Sequence, residues 1–129
     1  MREEGDVLWG LFPRSDGERG AHPALLVARL GVTYVAIVGT TKRVGRVSVG
    51  GQLVVTPDDV APCVWQATGL KTRTGFDFKS GLLAILGDAP RYGEFRIGSI
   101  AQGASWKRTM RDHLPILVQR IRSELARRA

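Results

Sequence analysis

Apolar residues come in short runs closed by glycine or proline through most of the chain, then switch to a helical period near its end. Val7, Leu8, Trp9, Leu11 and Phe12 mark residues 6–12 as a first strand. A polar, glycine-containing excursion over 13–22 follows, and Pro23 opens a second strand at 24–30. After the Gly31-Val32 break, residues 33–40 (TYVAIVGT) are almost continuously apolar, as in a strand covered on both faces. Gly39 near the end of that strand marks a bulge or a close backbone approach. Short β segments at 46–49 and 52–55 flank Gly50-Gly51, which suits a hairpin turn. Thr56-Pro57-Asp58-Asp59 predicts a turn or helix start, with Thr56 capping and Pro57 at the first helical position. Residues 61–70 show no period and read as irregular, whereas 74–78, 82–86, 95–97 and 98–100 read as strands, with a loop over 87–93. The fold class is therefore mainly β with α, and many short strands between glycine and proline signals predict a small barrel.

The period changes at the end. Trp106, Met110, Leu114, Leu117, Ile121 and Leu125 recur every three or four residues, the stripe of an amphipathic helix over about 105–128. Ser105 is placed to cap it, and Pro115 is expected either to kink it or to restart it as a second abutting piece, with Asp112 as the second cap. The stripe is expected to pack on the barrel and the basic residues to fill the opposite face.

Length and composition narrow the class. A chain of 129 residues is expected to form one domain, with the barrel over about 5–103, and to bury enough surface to need no staple. Cys63 is the one cysteine, so it has no internal disulfide partner and is expected to serve as a small buried apolar residue. No apolar run approaches the roughly 18 residues of a membrane span, and no leader pattern is visible, so a cytoplasmic protein without membrane contact is expected. Much of the net charge of +7 comes from residues 105–129, where seven basic side chains face Asp112 and Glu124. Such a balance suits a polyanionic partner and equally a solvated helix face.

Three segments carry candidate chemistry. The excursion over 13–22 holds Arg14, Asp16, Glu18, Arg19 and His22 beside two strands. An imidazole there could move a proton to or from a ribose 2′-hydroxyl, or simply satisfy hydrogen bonds at a strand entrance. Thr40, Thr41, Lys42 and Arg43 follow the central strand, where hydroxyls and cations could hold a phosphate or form an ordinary polar strand end. In residues 69–79, strand alternation sends Phe76 and Phe78 to one face, leaving Lys71, Arg73, Asp77 and Lys79 to line a polar face or pair with one another. Trp65 and Tyr92 are candidates for base stacking and equally for burial in the core. Metal-binding, Walker and dinucleotide patterns are missing from the sequence, so no cofactor is expected.

Five segments taken in order, GDVLWGLFP, HPALLV, YVAIVGTT, GLKTRTGFDF and RIGSIAQ, resemble the PemK/MazF toxin family of bacterial toxin–antitoxin pairs. The resemblance implies an SH3-like barrel with a C-terminal helix, usually a homodimer neutralised by an antitoxin protein. It also implies metal-independent cleavage of single-stranded RNA at short sequences, by attack of the 2′-hydroxyl on the adjacent phosphate. Thr40 falls on the family's active-site Thr/Ser, and His22 stands where most members carry arginine. Asp77 and Lys79 stand on the strand where some members carry a catalytic Arg and Asp. On this resemblance His22 acts as general base or acid and Thr40 holds the scissile phosphate. Lys42 and Lys79 offset its charge, and Asp77 orients His22 or a base edge. Arg14, Arg19, Thr41, Lys42, Arg43, Lys71 and Arg73 would bind substrate. Two alternatives use the same barrel without catalysis: a module binding RNA, DNA or a protein, and a gyrase-poisoning relative acting through protein contacts.

Overall fold

Strand alternation builds a sheet that is apolar on both faces. The computed structural model describes residues 2–13, 19–42, 44–45 and 50–128, without the side chains of Arg19, Leu125 and Arg128. Its elements are β1 (Asp6–Pro13), β2 (Arg19–Leu30), β3 (Thr33–Val38), β4 (Gln52–Val55), α1 (Pro62–Ala67), β5 (Thr74–Asp77), β6 (Leu83–Leu86), β7 (Phe95–Ser99), α2 (Ala104–Asp112) and α3 (Leu114–Arg128). The expected strand at 46–49, and Arg14 and Arg43, lie outside the described residues.

Five strands form one antiparallel sheet in the order β6-β3-β2-β1-β7, and β4 and β5 form a second pair. Val7 is in register with Leu25, and Leu25 with Ile37. These three face the main core, joined there by Leu53, Val55, Phe76, Phe78, Trp106, Met110 and Leu117. The alternate residues Leu8, Phe12, Ala24, Leu26, Ala36, Ala84 and Leu86 form a second cluster on the other face. The nearly continuous apolar run of β3 thus reflects burial on both sides, and Phe76 and Phe78 share the core as alternation requires. Thr40 and Gly75 exchange two backbone hydrogen bonds of 2.9 Å, tying the end of β3 to β5. A Cβ on Gly39 would lie 2.6 Å from the Phe76 ring, so the glycine marks a close approach. Among the described residues the architecture is mainly β with three α-helices. Strand pairing among the described residues leaves an open sheet and a separate pair, without a closed ring.

Several elements differ from the sequence expectation. β2 begins at Arg19, so Pro23 lies inside the strand; it sits just past Val38, the last residue of β3, at the margin of the ladder where a missing N–H is tolerated. Residues 95–99 form one strand, not two. Thr56 accepts from the Asp58 N–H at 3.3 Å and opens a single 3-10 turn, Pro57–Asp59, as its sequence predicts. Residues 62–67 are helical where an irregular segment was expected, and Val64 and Trp65 pack at the margin of the core. Cys63 is exposed on this helix, not buried. A helix this short gives alternate faces to core and solvent without enough turns to reveal a period.

The terminal stripe breaks at His113, next to the position the proline predicted. Asp112 ends α2 and does not cap α3, and Gly103, not Ser105, holds the N-cap position of α2. The Trp106 ring lies over Gly103 so closely that a Cβ there would be 2.3 Å away, which favours glycine over a capping side chain. Trp106, Met110 and Leu117 are buried, and Leu114 and Ile121 pack beside them. Among the described residues, no helix is long and apolar enough to cross a membrane.

Candidate functional site

Where β2 begins and β3 ends, the chain leaves a cleft of about 540 Å³ lined by His22, Thr40, Thr41, Lys42, Gly39 and Leu82 among others. His22 is half-buried on β2, in register with Gly10 of β1. Thr40 is fixed by its bridge to Gly75, and its Oγ1 accepts from the Lys42 N–H at 3.2 Å. The same hydroxyl lies 3.5 Å from the Lys42 carbonyl. This short side chain-to-backbone turn holds residues 40–42 in a tight bend and leaves Thr41 and Lys42 exposed at the rim. An imidazole, two hydroxyls and an ammonium group therefore share one concave surface, a set able to take up a phosphate and move a proton.

Asp77 and Lys79 are not among the residues lining that cleft. Asp77 ends β5 and organises the turn after it. Its Oδ1 accepts from the backbone N–H groups of Lys79 (2.9 Å) and Ser80 (3.1 Å), and its Oδ2 from the Ser80 hydroxyl (2.7 Å). Partial burial pushes the carboxyl pKa up, but the Ser80 hydroxyl, the two backbone donors and the nearby Arg120 charge outweigh it and hold the pKa below the usual aspartate value. Arg120 of α3 closes the same turn, donating to the carbonyls of Phe78 (2.9 Å) and Gly81 (2.7 Å). Lys79 is exposed beside the Gly51 turn.

Two further depressions adjoin the first. Lys71 and Thr72 edge an apolar groove of about 460 Å³ floored by Trp9, Pro23, Leu70, Phe95 and Ile97. Arg73 lies in a polar cleft of about 430 Å³ with Lys71 and Thr56, and pairs there with Asp58 at 3.2 Å. Thr41 belongs to the wall of all three. The structure thus gathers His22, Thr40, Thr41 and Lys42 directly, places Lys71 and Arg73 next door, and sets Asp77 and Lys79 in a turn of their own. Arg14, Arg43 and the side chain of Arg19 lie outside the described residues.

The aromatic candidates exchange places. Trp65 packs against the main core and Tyr92 against the second cluster, its ring 5.2 Å from that of Phe12. Trp9 and Phe95 are the aromatics left open, 37% and 58% exposed. An aromatic residue in a strand is buried by default, and only the cross-strand register brings these two together. Among the described residues, no group of three or more His, Cys, Asp or Glu side chains is placed to hold a metal ion. No family model matches the chain, and no curated protein matches its sequence.

Proposed function

We propose that this protein is an endoribonuclease of the PemK/MazF toxin type, built on an SH3-like barrel and cutting single-stranded RNA without a metal. The observation that carries the reading is the shared cleft of His22, Thr40, Thr41 and Lys42. In the proposed reaction His22 takes the proton of a ribose 2′-hydroxyl as its oxygen bonds to the adjacent phosphorus. The bond from phosphorus to the 5′-oxygen breaks, that oxygen leaves with a proton supplied by a solvent water, and His22 returns its own proton to solvent. The products are a 2′,3′-cyclic phosphate and a 5′-hydroxyl. The Thr40 hydroxyl donates to a phosphate oxygen, and the Lys42 ammonium offsets charge that grows in the transition state. Lys71 and Arg73 hold neighbouring phosphates. Asp77 and Lys79, which do not line this cleft, shape the 77–81 turn in this reading and take no part at phosphorus. The same reading brings a cytoplasmic setting, a homodimer and a cognate antitoxin that covers the cleft.

The test is a long single-stranded RNA incubated with the purified protein in EDTA, with the new ends mapped. Discrete cuts bearing 2′,3′-cyclic phosphates are expected, and His22→Ala should slow cleavage by about 10²–10⁴-fold, the range for loss of a general acid or base. Thr40→Ala should reduce the rate as well. Wild-type rates in both variants, or RNA left intact by the antitoxin-free protein, would overturn the assignment and leave a non-catalytic binding module on the same fold.

A further inference from the structure

Across three adjacent strands the register sets Pro23 of β2 beside Trp9 of β1, and Trp9 beside Phe95 of β7. Residues directly opposite on neighbouring antiparallel strands send their side chains to the same face, about 4.5–5.5 Å apart at Cβ. The row therefore forms an apolar shelf, and its two aromatics are substantially open to solvent. The backbone of residues 67–69 closes one side of the groove: a Cβ on Gly98 would lie 2.3 Å from the Thr68 carbonyl carbon, and one on Gly69, at φ +72°, 2.1 Å from the Ile97 carbonyl oxygen. Only glycines at both positions let Leu70, Lys71 and Thr72 come so near β7. The result is an aromatic floor with a cation on its rim.

We propose that this groove is a nucleobase subsite, in which a base of single-stranded RNA stacks on Trp9 and Phe95 while Lys71 holds the adjoining phosphate. The proposal rests on the ribonuclease reading for its ligand class and adds the subsite to it. Three observations favour a base over a protein side chain as the occupant. The rim is basic in a chain of net charge +7, which suits a polyanion. The groove meets the His22 cleft at Thr41, so one strand can occupy both. Finally, His22 and Pro23 are consecutive in β2 and point to opposite faces, so a nucleotide chain bending round this end of the sheet presents a phosphate to one side and a base to the other. Stacking of this kind tolerates any base, since every base has a π-face. Sequence preference would then have to come from other contacts.

The experiment is a titration with a 2′-O-methyl oligoribonucleotide, which lacks the attacking hydroxyl and stays intact, read by tryptophan fluorescence and by anisotropy of a labelled strand. Trp9→Ala and Phe95→Ala should each weaken binding by about tenfold or more, the effect of losing one stacked base. Trp9→Phe should recover most of the affinity, and Leu11→Ala, an exposed apolar change on the same strand, should leave it unaltered. Unchanged melting temperatures separate these effects from misfolding. If both alanine variants bind as wild type while the wild type cleaves unmodified RNA, the subsite is overturned and the ribonuclease reading survives. Aromatic-dependent binding by a protein that leaves unmodified RNA intact supports the subsite and removes the ribonuclease reading. No binding by the wild type overturns the subsite outright.

Discussion

Gly39 sits where the Phe76 ring meets the backbone, and an added methyl group would lie 2.6 Å from that ring. Neither the ring, fully buried in the main core, nor the backbone, pinned by Thr40 to Gly75, has room to yield. Gly39→Ala should therefore lower stability by about 1–3 kcal/mol, as overpacking does, measured as a shift in denaturant midpoint at constant slope. Because Thr40 follows directly, the RNA cleavage proposed above should fall with it. Asp77 gives a pH-dependent case. Its folded pKa lies below the ordinary 3.8, so the turn it holds contributes stability above that value and loses it as pH falls through the depressed pKa. Melting temperatures followed from neutral pH into the acid range should show Asp77→Asn less stable at neutrality, the two curves converging once the wild-type carboxylate is protonated. Parallel curves would mean that the hydrogen bonds to Ser80 and Lys79 do not favour the charged form.

The two terminal helices act as the lid of the main core. Leu117 of α3 is 1% exposed within it, and Leu117→Ala should cost about 2–5 kcal/mol, the range for emptying a buried leucine site. Arg120, one turn away, reaches across to the 77–81 turn rather than to solvent. Arg120→Met keeps the apolar stem and removes the two charged hydrogen bonds, each worth roughly 1.5–3 kcal/mol at most. Hydrogen exchange at Phe78 to Gly81 should accelerate in that variant more than exchange in β1 or β2. Equal acceleration everywhere would show that Arg120 acts on global stability alone. Its role also shows that the basic residues of this helix do not all fill one solvent-facing side.

At the scale of the molecule, charge and shape meet around Thr41, where the three depressions join. If RNA follows that track, its affinity must fall with salt by a slope near 0.7 per phosphate neutralised. Lys42→Gln and Lys71→Gln should each flatten a plot of log Kd against log salt by about that amount, whereas Lys79→Gln should leave it unchanged. The periods of apolar residues by themselves determined that the chain is mainly β, where β1, β3, β4, β5 and β6 lie, that β3 is buried on both faces, and that an amphipathic helix pair closes the chain. Local chemistry also marked Thr56 as a cap and Gly39 as a bulge or a close approach, of which the structure shows the close approach. These features follow from neighbours in sequence, which the 2- and 3.6-residue repeats report directly. The helical turns at 62–67 hold too few residues for any repeat, so the exposed position of Cys63 was hidden with them. Strand order and register belong to the tertiary structure, because they pair residues far apart in the chain by fit and burial. That pairing alone gathers His22 with Thr40 and Lys42, withdraws Asp77 and Lys79 to their own turn, and leaves Trp9 and Phe95, 86 positions apart in sequence, side by side and open to solvent.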